Sequence, residues 1–83
     1  MRERVSNDLL CEAKYDCLDV MELFGTLVGQ LGEAVADSDS DNDLGAIVVC
    51  DDALLTFAEM ESKLSEMASK VAKWKTWAEE DLS

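Results

Sequence analysis

The chain has 83 residues, of which 19 are Asp or Glu and 7 are Lys or Arg, so its formal net charge is −12. This balance disfavours direct binding of nucleic acid or of an anionic membrane surface, because both are bound mainly through Lys and Arg. Apolar residues make up 48% of the chain, which is too many for a disordered acidic tail. We therefore expect one small folded domain whose partner is a protein with a basic surface.

The first segment, about residues 6–36, is predicted to form one long amphipathic helix. Its apolar residues recur every three or four positions in two neighbouring rows, and acidic residues occupy the opposite face. The first row is Leu10, Ala13, Cys17, Val20, Phe24, Leu27, Leu31 and Ala34, and the second is Leu18, Met21, Gly25, Val28, Gly32 and Val35. In a helix interior each glycine costs about 1 kcal/mol relative to alanine. Gly25, Gly29 and Gly32 therefore indicate either the close approach of another backbone or a locally weak, kinked helix.

An acidic turn is predicted over residues 37–43, where Asp, Ser and Asn follow one another without interruption. These residues favour turns and helix caps over helix interiors. Asp37, Asp39 and Asp41 also match the first three ligand positions of an EF-hand calcium loop. The match then fails, because Asn42 stands where glycine is needed and Val48 where the bidentate glutamate belongs. We therefore expect a solvated turn and no metal site.

The second segment, about residues 44–81, is predicted to be a helix capped by Asp43. Its apolar residues keep a 3-4 spacing over four heptads, which is typical of coiled-coil packing. They are Cys50, Ala53, Phe57, Met60, Leu64, Met67, Val71, Trp74 and Ala78. Residues 44–50 are rich in β-branched side chains and could be read as a strand, but a lone strand would have no partner in this chain.

These elements predict an all-α fold over residues 1–83, in which two long antiparallel helices form a hairpin. The hairpin folds about Ser40, so the numbers of two residues that face each other should add up to about 80. A chain of this size has a marginal core, and one hairpin leaves a wide apolar face uncovered. We therefore expect two hairpins to pair as a homodimeric four-helix bundle. The predicted core and dimer residues are Phe24, Gly25, Gly29, Gly32, Phe57, Leu64, Val71 and Trp74.

Composition argues against an enzyme and against a cofactor. Histidine is absent, which excludes Ser-His and Cys-His nucleophile systems, and no glycine-rich phosphate loop occurs. The three cysteines have no paired spacing, so neither a disulfide framework nor a zinc site is expected. We expect Cys17 and Cys50 to be small buried residues and Cys11 to be exposed. With no signal-peptide pattern and no spanning segment, the predicted location is the cytoplasm.

The acidic face is the feature most able to carry a function. Carboxylates three or four residues apart on a helix present negative charge about every 5–6 Å, so the face could imitate a nucleic-acid strand. The predicted partner-binding residues are Glu12, Asp16, Asp19, Glu22, Glu33, Asp37, Asp39, Asp41 and Asp43. In size and acidity the chain resembles small inhibitors encoded by phages and other mobile elements, among them nucleic-acid mimics; the predicted location is then the cytoplasm of the host cell. The alternative is a structural scaffold whose acidity serves only solubility.

Overall fold

Two long helices joined by a tight turn make up the fold. In the computed structural model, which describes residues 6–82, helix α1 spans Asp8–Asp39 and helix α2 spans Asp43–Leu82. The prediction of an all-α hairpin is confirmed, and no strand occurs among the described residues. Residues 44–50 are helical, since the apolar periodicity that follows them continues without a break.

The turn is shorter than predicted and occupies only residues 40–42. Asp41 adopts a left-handed backbone conformation, with φ of 60°. The backbone N–H groups of Asp41 and Asn42 donate to the carbonyl oxygens of Ser38 and Asp37, at 3.1 and 2.8 Å. This is the Schellman arrangement, which ends a helix with a single left-handed residue. Asp37 and Asp39, predicted to lie in the turn, therefore belong to the last helical turn of α1.

The start of α2 also differs from the prediction. Asn42, and not Asp43, precedes the first helical residue, and its side-chain oxygen accepts a hydrogen bond from the Gly45 N–H at 3.2 Å. That bond satisfies a backbone donor that has no partner within the helix. A Cβ added at Gly45 would lie 2.4 Å from the Asn42 side-chain nitrogen. Glycine at this position therefore leaves room for the cap.

The two helices pack along one narrow seam. Its buried apolar residues are Ala13 and Leu27 on α1, and Val49, Ala53 and Met60 on α2. Thr56 is the one polar residue buried with them in the described part of the chain, and its hydroxyl donates to the Gln30 side-chain oxygen at 2.9 Å. Further along, the Lys70 ammonium donates to the Asp16 carboxylate at 2.6 Å.

These two polar pairs show the register of the hairpin. The residue numbers total 86 in these two pairs, 82 for Lys63 and Asp19, and 80 for Trp74 and Ser6. The numbers of facing residues thus total 80–86, whereas a fold about Ser40 predicted a total of about 80. Polar residues at core positions fix the register of packed helices, since a slipped alignment would leave them without partners.

Only half of the first predicted row of α1 and half of the α2 row face the other helix, and every member of the second α1 row is exposed. Ala53 and Met60 are buried and Met67 and Trp74 are half-buried, but the alternate members of the α2 row are exposed: Cys50, Phe57, Leu64 and Val71. The same holds for Cys17 and Phe24 on α1. The expectation that Cys17 and Cys50 are buried is therefore wrong for the hairpin alone, while Cys11 is exposed as predicted.

The close backbone approach inferred from the glycines is not made within the chain. A Cβ built at Gly25, Gly29 or Gly32 meets nothing within 4 Å. The backbone of the hairpin extends over 68 × 14 × 12 Å, so the molecule is an elongated rod. Among the described residues, neither helix is long and apolar enough to cross a membrane.

Candidate interaction surfaces

One broad side of the hairpin is apolar and exposed. We call it the apolar side, and on α1 it includes Phe24, which is 57% exposed, and Leu31. Its remaining members are Cys17, Met21, Val28 and Val35 on α1 and Ile47, Cys50, Leu54, Phe57, Leu64 and Val71 on α2. Exposed apolar residues are common singly, but a continuous patch marks a surface that binds another macromolecule.

The two helices share this side near the turn. Leu31, Val35 and Ser38 of α1 line one open depression of about 540 Å³ together with Ala46 and Cys50 of α2. Near the turn, the outward-facing residues of the two helices therefore line one common depression.

The opposite broad side carries carboxylates from both helices. We call it the acidic side, and its members lie one position before a seam residue: Glu12, Asp19 and Glu33 on α1, and Asp52, Glu59 and Glu66 on α2. On either helix such residues are separated by seven positions or a multiple of seven, and seven residues rise about 10.5 Å along the helix axis. Carboxylates that face the same way are therefore more widely spaced than the predicted 5–6 Å.

The structure distributes the predicted partner-binding residues over three places. Glu12, Asp19 and Glu33 lie on the acidic side, and Glu22 lies at its outer edge on α1. Asp16 and Asp37 are half-buried near the seam, while Asp39, Asp41 and Asp43 are exposed at the turn end. Asp52, Glu59 and Glu66 were not among the predicted partner-binding residues. Their seven-residue spacing beside the seam could have identified them once the seam was known.

Asp16 serves the seam instead of a free acidic face. Its side chain is 15% exposed and bonds to Lys70. This hydrogen bond lowers the pKa of the Asp16 carboxyl below its usual 3.8, and it raises the pKa of Lys70 above 10.5. Both shifts mean that the folded hairpin favours the charged forms of the two groups.

Among the described residues, the lysines lie in the half of the hairpin farther from the turn. No Lys or Arg occurs between Lys14 and Lys63 in the sequence. Lys63 lies 3.7 Å from the Asp19 carboxylate across the seam, and Lys73 lies 5.1 Å from the centre of the Trp77 ring. The half of the hairpin nearest the turn therefore carries negative charge with no cation beside it.

Among residues 6–82, no three His, Cys, Asp or Glu side chains are grouped so that they could hold a metal ion. Asp37 and Asp39 lie in the last helical turn of α1, Asp41 lies in the turn between the helices, and Asn42 is engaged as the cap of α2.

Comparison of the chain with protein-family models, with curated proteins and with solved structures finds no match. The two sides of the hairpin are therefore the features from which a function can be inferred.

Proposed function

We propose that the chain is a non-enzymatic protein-interaction module that binds and inhibits or regulates a partner with a basic, nucleic-acid-binding surface. The observation that carries this proposal is that exposed apolar residues predominate on one broad side of the hairpin and carboxylates on the opposite side. The apolar side holds two copies together as a four-helix bundle, and the acidic side faces outward on each copy. In this proposal the protein acts in the cytoplasm, or in that of the host cell if a phage encodes it.

The contact region is proposed to be the acidic side near the turn. Glu33, Asp52 and Glu59 lie there, in the stretch of chain without lysine or arginine. A basic groove that normally holds nucleic acid attracts such a surface over several ångströms, and the attraction weakens with salt. Two rows of carboxylates on a straight rod can thus occupy the path of a polyanion without matching every phosphate.

The test uses a duplex-DNA column loaded with a cell extract, with the purified protein as the eluant. We expect the wild-type protein to release a subset of basic proteins at low salt and to remain bound to them. A variant with Glu33, Asp52 and Glu59 changed to Lys should release none. A control with Asp8, Asp51 and Glu79 changed to Lys has the same net charge and should release the same proteins as the wild type.

Three results would contradict this proposal. If neither triple variant releases proteins, net charge and not the acidic side is responsible for release. If both release the same proteins as the wild type, the acidic side near the turn is not the contact region. If even the wild-type protein releases nothing, the polyanion-mimic proposal fails. The alternative of a structural scaffold is favoured by the extent of the apolar side, and it predicts assemblies whose stability does not fall as salt is raised.

A further inference from the structure

The hairpin lacks the second layer that a folded domain needs. A domain buries apolar surface between at least two layers of secondary structure, whereas the described part of this chain has two helices side by side. A compact monomer of 9.1 kDa would expose about 4,900 Å², and this chain exposes 6287 Å². The excess is about 1,400 Å² per chain, which falls in the range buried by each subunit of an obligate dimer.

The direction of the apolar rows indicates where the missing layer lies. Within the first row of α1 and the row of α2, residues in the seam such as Leu27 and Met60 alternate with exposed ones such as Leu31 and Leu64. At about 100° per residue, the mean direction of each of these two rows points about 50° away from the other helix. In a square four-helix bundle the centre lies about 45° from each neighbour. The rows therefore point at the centre of a bundle made by two hairpins.

Charge then decides how the second hairpin is oriented. Lys14 and Lys75 border the apolar side at the open end, where Lys75 also lies 3.7 Å from the Glu79 carboxylate. The turn end carries Asp39 and Asp43. If both turns lay at the same end of the bundle, their aspartates would be adjacent and would repel one another. If the hairpins ran in opposite directions, each acidic turn would lie beside the lysines of the other copy.

We propose that a second copy of this chain covers the apolar side, with its turn at the opposite end of the bundle. This inference rests on the dimer proposed above and adds its orientation and register. The middle of the apolar side lies at residues 26–27 of α1, which the register of the seam places level with residues 59–60 of α2.

A two-fold axis at that level brings complementary groups together. Phe24 lies level with Phe57 of the second copy, and Leu31 lies level with its Leu64. Lys14 and Lys75 border the apolar side. Lys14 lies level with Asp39 of the second copy, and Lys75 lies level with its Asp43 to within one residue. Cys17 lies level with Cys50 of the second copy, so a thiol pair reports the orientation directly.

Cross-linking of two single-cysteine variants tests this arrangement. In both, Cys11 is changed to Ser; one keeps Cys17 with Cys50→Ala, and the other keeps Cys50 with Cys17→Ala. Within one hairpin, facing residue numbers that total 80–86 place these two cysteines 13–19 residues apart in level, about 20–28 Å along the rod. A bismaleimide that spans about 10 Å, the spacing of packed helices, cannot join them within a chain.

We expect a cross-linked dimer when the two variants are mixed and little when either is treated alone. Cross-linking of each variant with itself would show that the turns lie at the same end, which overturns the inference. A dimer by light scattering with no cross-link would show that another surface pairs. A monomer by light scattering would overturn the dimer and its orientation together, whereas release from the DNA column tests the acidic side separately.

A charge exchange gives a second test. Lys14→Glu should weaken dimer formation about 5- to 20-fold, because the two-fold axis repeats the lost ion pair, and each exposed pair contributes modestly. Adding Asp39→Lys to that variant should restore most of the affinity. Lys73→Glu is the matched control, since Lys73 lies beside Trp77 away from the apolar side, and it should leave the affinity within about twofold. Failure of Asp39→Lys to restore binding would contradict the proposed register.

Discussion

Two leucines one helical turn apart on α1 separate the contribution of the seam from that of the apolar side. Leu27 is 4% exposed in the seam, whereas Leu31 is 44% exposed beside it. Leu27→Ala and Leu31→Ala remove the same three carbons from the same helix. Because the helix propensities of the variants are matched, any difference between them reports the surroundings of the side chain.

The expected magnitudes follow from the exposed fractions. Three buried carbons are worth about 2.4 kcal/mol by transfer, and the cavity left behind adds to this, so Leu27→Ala should cost about 3 kcal/mol. In a lone hairpin Leu31 is little more than half buried, and no closed cavity forms beside solvent. Its replacement should then cost about 1 kcal/mol. In the proposed dimer Leu31 is buried as well, and its replacement should cost about as much as Leu27→Ala.

Urea unfolding followed by circular dichroism, at protein concentrations on both sides of the dimer dissociation constant, measures the two costs. We expect the cost of Leu31→Ala to rise from about 1 to about 3 kcal/mol as the concentration increases, since association stabilises the folded state by mass action. A cost near 1 kcal/mol at every concentration would refute burial of the apolar side. A cost below 1 kcal/mol for Leu27→Ala would refute the seam itself.

Three further variants test the turn, the ion pair and the helix surface. Asp41→Gly should stabilise the hairpin by about 0.5–1 kcal/mol in thermal unfolding, because glycine adopts the left-handed conformation without strain; an unchanged or lower melting temperature would contradict the Schellman turn. The Asp16→Asn variant should have a lower free energy of unfolding than the wild type. Because the pKa of Asp16 is lowered and that of Lys70 raised, this difference should hold from about pH 5 to 9. The difference should narrow as the pH falls below 3.8 or rises above 10.5, and a difference independent of pH would exclude the ion pair as its cause. Gly29→Ala should stabilise by about 0.5–1 kcal/mol, since nothing lies within 4 Å of the added carbon; a loss in urea unfolding would show that another backbone packs there.

The secondary structure followed from local features of the sequence. Proline is absent, apolar residues recur every three or four positions, and only one cluster of turn-forming residues interrupts them. These features act within a few residues along the chain, so they predicted two helices and a hairpin without knowledge of any contact. They placed the turn only approximately, because Asp and Ser tolerate the end of a helix as well as a turn. The single left-handed residue at Asp41 depends on hydrogen bonds that form only in the folded chain.

The tertiary structure decided which way each helix faces. A 3-4 spacing gives the direction of an apolar row relative to its own helix axis, but it does not say whether that row points at the other helix or beside it. The rotation follows from packing, in which Thr56 meets Gln30 and Lys70 meets Asp16. Those contacts join residues far apart in the chain, and they turn Phe57 and Leu64 outward. The sequence by itself determined that this protein has an apolar face and an acidic face; only the packing of the two helices decided that they lie on opposite sides of one rod.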